Sequence, residues 1–272
     1  MVTYKLNDGN QLLAIGCGTN TFGKENQEYM GNINNDTSSI ESAIDVGYRR
    51  FDTAISYRNE TVVALGIKRS QIERKDIFIT SKLPGKEGYI DSREHVIQGI
   101  EQSLNALDTN YIDLYLIHHP WDNLEQILIV WKVFEEYHQN GVLKSIGVSN
   151  FNEEQLLYLI ENATIVPAVN QIESNPKNPN NEIINFCLEH GIVPEVWGPF
   201  HGIEDSHIKT LEEIGEKYQK NWAQVLLRYQ LDRNVAIIPK SHNKERQASN
   251  LDVFDFCLSY ADKIVITELF KN

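Results

Sequence analysis

The chain of 272 residues carries 25 Lys and Arg against 38 Asp and Glu, a formal net charge of −13. That balance argues against nucleic acid as a partner, because phosphate binding calls for clustered cations. Hydrophobic residues make up 41% and charged residues 23%, enough for a sizeable core, and no apolar run approaches the roughly 20 residues that span a bilayer, so no membrane partner is expected. Cys17, Cys187 and Cys257 are odd in number and far apart, which gives neither a disulfide framework nor a metal spacing and favours a reducing, cytoplasmic setting. The first eight residues hold no basic region followed by an apolar stretch, so no signal peptide is expected.

Segments 3–6 and 11–14 flank Asn7-Asp8-Gly9-Asn10, a hairpin turn signal. The apolar run 12–17 then leads into Gly16-Cys17-Gly18-Thr19, and residues 22–36, rich in Asn, Gly and Glu, read as loop. A helix is expected over 38–46 with Asp36 or Thr37 as its cap, then a strand over 49–53 and a helix over 60–69. From there the pattern alternates. Strands are expected at 76–82, 111–117, 144–148, 167–170, 192–196 and 235–238, and helices at 92–107, 124–139, 153–161, 180–189, 207–218 and 222–232. In 92–107, for instance, Val96, Ile97, Ile100, Leu104 and Leu107 keep a helical period.

Alternating βα units favour a parallel sheet with right-handed crossovers. Eight strands in one chain of this length, with no composition break, favour a closed barrel over an open doubly wound sheet. No G-x-G-x-x-G follows the first strand, which counts against a dinucleotide-binding sheet of the open type. The expected architecture is one domain over 1–272, a (β/α)8 barrel with an N-terminal β-hairpin.

In such a barrel the active site lies at the C-terminal ends of the strands. Those ends hold Asp52, Lys82, His118, Ser149-Asn150, Gln171, Trp197 and Lys240-Ser241, a ring of polar and aromatic groups that packing alone does not explain. The most telling stretch is 47–60, where a strand finishes in Asp52 and an isolated Tyr57 precedes Asn59-Glu60. A buried strand rarely ends in an unpartnered carboxylate. Taken alone, Asp52 could cap the next helix, Lys82 could be a surface stem and His118 a satisfied core histidine; together at strand ends they form a reactive set. His118-His119 invites a metal reading, but neighbours on a strand point to opposite faces and no third ligand is evident, so no metal is expected.

Asp52, Tyr57, Lys82 and His118 resemble the catalytic tetrad of the aldo-keto reductase family. The resemblance runs almost the whole chain: G-Y-R-x-x-D-T-A-x-x-Y-x-N-E at 47–60, T-S-K-L at 80–83, D-L-Y-L-I-H at 113–118, I-G-V-S-N-F at 146–151, N-Q-I-E at 170–173 and I-P-K-S at 238–241, followed by Arg246 and Asn250. It implies NADPH as cofactor, with NADH also open. By position, Ser149, Asn150 and Gln171 would hold the carboxamide and Trp197 would stack on the nicotinamide, with Gly198 and Phe200 next to it in the cofactor site. Lys240, Ser241 and Arg246 would contact the adenosine 2′-phosphate, with Asn250 near the adenine. Arg246 offers a fork to phosphate oxygens and Lys240 a point charge.

The chemistry can be argued from the residues as well. Reduction of a carbonyl leaves an alkoxide that needs a proton, and a free tyrosine, with a pKa of about 10, is a poor shuttle near neutrality. A neighbouring Lys82 ammonium would favour tyrosinate and lower that pKa, Asp52 would keep Lys82 charged and placed, and His118 would donate to the substrate oxygen. The expected activity is NADPH-dependent reduction of aldehydes, α-dicarbonyls or keto sugars by a monomer; the alternative is a cofactor-binding regulatory subunit. Departures from the family pattern concern the pocket. Asn20 and His119, both expected at the substrate, and Pro84 stand where aromatics are common, with Tyr89 as replacement surface. Gly198 replaces a common Ser and Ser249 a common Glu. The long terminal loop of larger members is short or absent, so an open site is expected.

Overall fold

The computed structural model describes residues 2–270. In chain order the elements are β1 (Thr3–Lys5), β2 (Gln11–Leu13), β3 (Cys17–Gly18), α1 (Ser38–Val46), β4 (Arg50–Asp52), α2 (Glu60–Arg69), β5 (Phe78–Leu83), α3 (Arg93–Ala106), β6 (Ile112–Ile117), α4 (Leu124–Gln139), β7 (Leu143–Ser149), α5 (Glu153–Asn162), β8 (Val169–Glu173), α6 (Asn181–Glu189), β9 (Val193–Trp197), α7 (Asp205–Glu216), α8 (Trp222–Leu231), β10 (Ala236–Ile237), α9 (Lys244–Leu251) and α10 (Tyr260–Leu269). Strands β3 to β10 form one parallel sheet in sequence order. It closes on itself where Ile15 bridges Ile237 and Gly18 N donates to Pro239 O at 3.1 Å. The architecture is the expected (β/α)8 barrel with an antiparallel N-terminal hairpin.

Strand residues split by alternation. Phe51, Ile79, Tyr115, Ile117, Ile146 and Val148 face outward into the main core beneath the helices. Inside, a separate apolar cluster of Leu6, Leu12, Leu114, Leu116, Ala168, Val169 and Ala236 fills the barrel's lower end. Two of these come from the hairpin, which is therefore a plug; Tyr4 OH ties it to the carbonyls of Leu231 and Val235 at 3.3 and 3.4 Å.

Local sequence sets several helix starts. Asn152 and Asn221 each accept from the backbone of a Gln three residues on, whose side chain returns the bond, a reciprocal cap. At α1 the two candidates divide the work: Thr37 occupies the cap position without a side-chain cap bond, and Asp36 Oδ1 accepts from Ser38 N at 2.9 Å.

Four differences from expectation have simple causes. The run 12–17 is shared between two sheets, because Gln11–Leu13 pairs with β1 while Cys17–Gly18 joins the barrel. The third barrel strand begins at Phe78, since Arg74–Asp76 forms a 3-10 turn. Residues 22–36 hold a 3-10 turn and an antiparallel bridge between Lys24 and Ile33. Helix α10, unexpected beyond Phe256, packs Ile266 with Phe270 against Leu211, Val225 and Tyr229. No helix among the described residues is long and apolar enough to cross a membrane.

Candidate active site

A cavity of about 380 Å³ opens at the C-terminal ends of the strands. Asp52, the last residue of β4, lines it and meets the fully buried Lys82 of β5. Lys82 Nζ donates to Asp52 Oδ1 at 2.6 Å, to Thr53 O at 2.9 Å and to Tyr57 OH at 3.4 Å. Tyr57 ends a 3-10 turn, Ile55–Tyr57, that carries its ring over the mouth and edge-on to His118 at 5.3 Å. The four residues of the expected tetrad thus form a continuous chain of contacts, from Asp52 through Lys82 and Tyr57 to His118.

Their electrostatics differ from the expectation at one point. Burial pushes the Tyr57 hydroxyl up to about 12, and the downward pull of Lys82 only partly offsets it. The hydroxyl is therefore protonated at neutral pH. Burial, together with the charge of Lys82 and then His119, lowers His118 to about 2, so this ring is neutral, and its Nδ1 is buried with no partner among the described residues. Burial works against the Lys82 ammonium too, but Asp52 and Tyr57 more than offset it and hold its pKa above the ordinary value.

Gln171 sits deeper than its expected role required. Its Nε2 donates to Asp52 Oδ2 at 2.7 Å and to Glu195 Oε1 at 2.6 Å. Carboxylates only accept, so the amide is oriented with its oxygen toward the cavity. Glu195 is in turn paired with Arg50. Sequence reasoning passed over Arg50 and Glu195, although their inward parity with Asp52 and Gln171 was legible from the two-residue period and the strand ends.

Ser149 and Asn150 line the same cavity. Asn150 adopts a φ of 61°, which Asn tolerates. Its Nδ2 donates to Ser149 Oγ at 3.0 Å and to His118 O at 3.2 Å, and its Oδ1 accepts from Trp197 Nε1 at 3.1 Å. Gly198 has a φ of 62°, and a Cβ there would lie 2.7 Å from His201 Nδ1. Phe200 and His201 complete that wall; His201 carried no sequence signal.

On the substrate side Asn20 and His119 both line the cavity, and Tyr89 is not among the lining residues. The aromatic surface comes from Tyr29, whose ring stands edge-on to Tyr57 at 5.9 Å. Tyr29 is set by Lys24, a buried lysine whose Nζ donates to Asn20 O and Tyr29 O at 2.8 and 2.7 Å. Both lie in the stretch read only as loop. His118 and His119 are stacked, with ring centroids 4.4 Å apart, so the alternation argument fails for them: β6 ends at Ile117, and beyond a strand the backbone no longer alternates. No group of three or more His, Cys, Asp or Glu able to hold a metal occurs among the described residues.

A second cleft, of about 480 Å³, adjoins the first at Lys240 and is lined by Ser241, His242, Asn243, Arg246 and Gln27. Asn243 caps α9 through Arg246 N at 2.8 Å, which brings the Arg246 side chain to the cleft. Lys240, Ser241 and Arg246 are therefore together as expected. Asn250 is not with them; it is buried and bonded to the Tyr48 hydroxyl.

Residues 14–269 match the model of the aldo/keto reductase family. The chain belongs to that family. It is 38% identical to the glyoxal reductase of Bacillus subtilis over 271 residues, covering 99% of this chain and 93% of the relative. To methylglyoxal reductase DkgA of Escherichia coli K12 it is 34% identical, covering 98% and 92%. An aldo/keto reductase of Brucella melitensis superposes with a TM-score of 0.88 at 36% identity, covering 98% and 99% of the two chains. The Bombyx mori aldo-keto reductase solved in complex with NADP gives 0.87 at 35%, covering 98% and 92%. The protein is an NAD(P)H-dependent oxidoreductase that reduces carbonyls to alcohols, with NADPH as cofactor. Two features fit that cofactor: a cavity lined by Gln171, whose amide nitrogen is already committed to two carboxylates, and a cleft presenting the exposed side chain of Arg246.

Proposed function

We propose that this reductase acts on small aldehydes, α-dicarbonyls and keto sugars, with Tyr57 as the proton donor. The observation that carries the proposal is the contact of the Tyr57 hydroxyl with the buried Lys82 ammonium beside a neutral His118. When bound, NADPH supplies the hydride. Ser149, Asn150, Gln171 and Trp197 would hold its nicotinamide end, and Lys240, Ser241 and Arg246 its 2′-phosphate.

The chain's own residues do the rest. A neutral His118 offers an N–H to the carbonyl oxygen, where negative charge develops as the bond is reduced. Tyr57, protonated until then, passes its proton to that oxygen. Lys82 stabilises the tyrosinate that remains, and Asp52 keeps Lys82 charged and aimed. Two of the relatives are named for α-dicarbonyls, glyoxal and methylglyoxal. The polar surface of Asn20, His119 and His201 around the mouth suits substrates with a second oxygen.

The test is NADPH oxidation against a panel of simple aldehydes, dicarbonyls and keto sugars, with Tyr57→Phe alongside. Loss of the general acid is expected to lower kcat by about 10²–10⁴-fold with NADPH binding, read by Trp197 fluorescence, unchanged. Equal turnover in both proteins would remove Tyr57 from the role.

A further inference from the structure

Four charged side chains and one amide occupy the middle of the barrel, and the reading above uses only Asp52, Lys82 and Gln171. Arg50 and Asp52 stand two apart on β4 and so share the inward face. Glu195 on β9 is the register partner of Gln171 on β8. Arg50 Nη1 donates to Glu195 Oε2, and Nη2 to Ile237 O at 3.1 Å; both residues are fully buried. Through the Gln171 amide this pair is continuous with Asp52 and Lys82. The chain of groups holds two cations and two carboxylates.

An ion pair is expensive filling for a barrel. Well-packed apolar residues of similar volume often serve stability as well or better, and the layer below, with Leu12, Leu114 and Ala236, is apolar. Filling the barrel does not by itself call for a charged pair at Arg50 and Glu195. We propose that they are positioning residues for the reduction: their pair, joined through Gln171, balances the charge around Asp52 and thereby sets how strongly Lys82 acts on Tyr57. The proposal rests on the reading of Tyr57 as proton donor.

The electrostatics support it. Burial and the charge of Glu195 push the Asp52 carboxyl up against the opposing pull of Lys82. Without Arg50, two carboxylates would share one amide and one ammonium, a state relieved by taking up a proton. Without Glu195, the Arg50 cation would have no counter-ion but Asp52, in competition with Lys82. The other titratable groups facing the set are Tyr4 on β1, Cys17 on β3, Glu60 on α2, His118 and His119 beyond β6 and Tyr29 from the loop. Cys17 is held well above its ordinary value by burial and His118 at about 2, so neither changes charge near neutrality.

The test is the pH dependence of kcat/KM, with NMR titration of the Tyr57 ring carbons in the cofactor-free protein as a readout without turnover. Glu195→Gln removes a negative charge, so the alkaline midpoint is expected to fall by about one pH unit, the size of one charge acting over roughly 10 Å at an effective dielectric of about 20. Arg50→Met should raise it by a similar amount, and the double variant should return close to wild type. If Glu195→Gln does not fold, Glu195→Asp, which draws the carboxylate back by one methylene, must lower the midpoint by a smaller step. Midpoints that stay at the wild-type value in every folded variant, or shifts of one sign in both single variants, would overturn the proposal. Tyr57→Phe in the same series keeps the two readings apart: turnover surviving there removes the tyrosine reading, while the NMR midpoints still decide the role of Arg50 and Glu195.

Discussion

Lys82 and Arg246 are both cations near the strand ends of one barrel, and they are held in opposite ways. Lys82 is fully buried, with Asp52, Thr53 and Tyr57 all within hydrogen-bond reach. Arg246 is exposed at the edge of its cleft, and the Asn243 cap holds its backbone. A charge taken out of water must bring its counter-ion into the fold, whereas a charge left in water can wait for an anionic ligand. The inner cation is therefore part of the fold, and the outer one is the cation that the proposed function assigns to binding.

The sharpest way to break this contrast is to remove each cation. Lys82→Met leaves Asp52 buried without its ammonium, and a loss of about 3–5 kcal/mol is expected, seen as a lower urea midpoint, with turnover abolished. Arg246→Ala should leave the urea midpoint where it was and raise the KM for NADPH by about 10-fold or more, the worth of a charged hydrogen bond of about 1.5–3 kcal/mol. Its kcat at saturating cofactor should hold. If Arg246→Ala destabilised the fold as much as Lys82→Met, the distinction would be wrong.

Lys24 sharpens the comparison because it lies between the two. It is buried, yet its partners are the carbonyls of Asn20 and Tyr29 and the face of the Tyr29 ring, with no carboxylate among the described residues. Burial first, then the charges of Arg58 and Lys240, lower it to about 8. The folded value is below the unfolded one of about 10.4, so between them the unfolded chain binds more protons. Stability therefore rises as pH climbs from about 8 toward 10.4. Urea midpoints at the two ends of that window should show the rise in wild type and lose it in Lys24→Met; this is the smallest of the effects.

The sequence made some of this legible because certain residues have one local meaning. Asp52, Lys82 and Gln171 follow apolar runs that mark their strands, at or near the C-terminal ends, and a parallel barrel brings those ends together whatever the loops do. Other parts needed long-range packing. Tyr29 and Lys24 lie in an irregular loop whose path depends on carbonyls it meets only once folded. His119 was placed by a rule that stops where β6 stops. The pKa of Tyr57 depends on depth as much as on its neighbour, and depth is invisible in a motif. Asn250 matched a pattern position, but its amide faces Tyr48 and the core.

The barrel's seam has a consequence for synthesis. It joins Ile15 to Ile237, and Arg50 and Asp52 find Gln171 and Glu195 only across the closed interior. A ribosome adding about 5–20 residues per second leaves the first strands waiting on the order of ten seconds or longer for their neighbour across the seam. Until then Arg50 lacks the closed interior that sets it against Glu195, and Asp52 the one that sets it against Gln171. The reactive centre is therefore assembled at the close of translation, and a chain cut short before its last strand carries the motif without the chemistry.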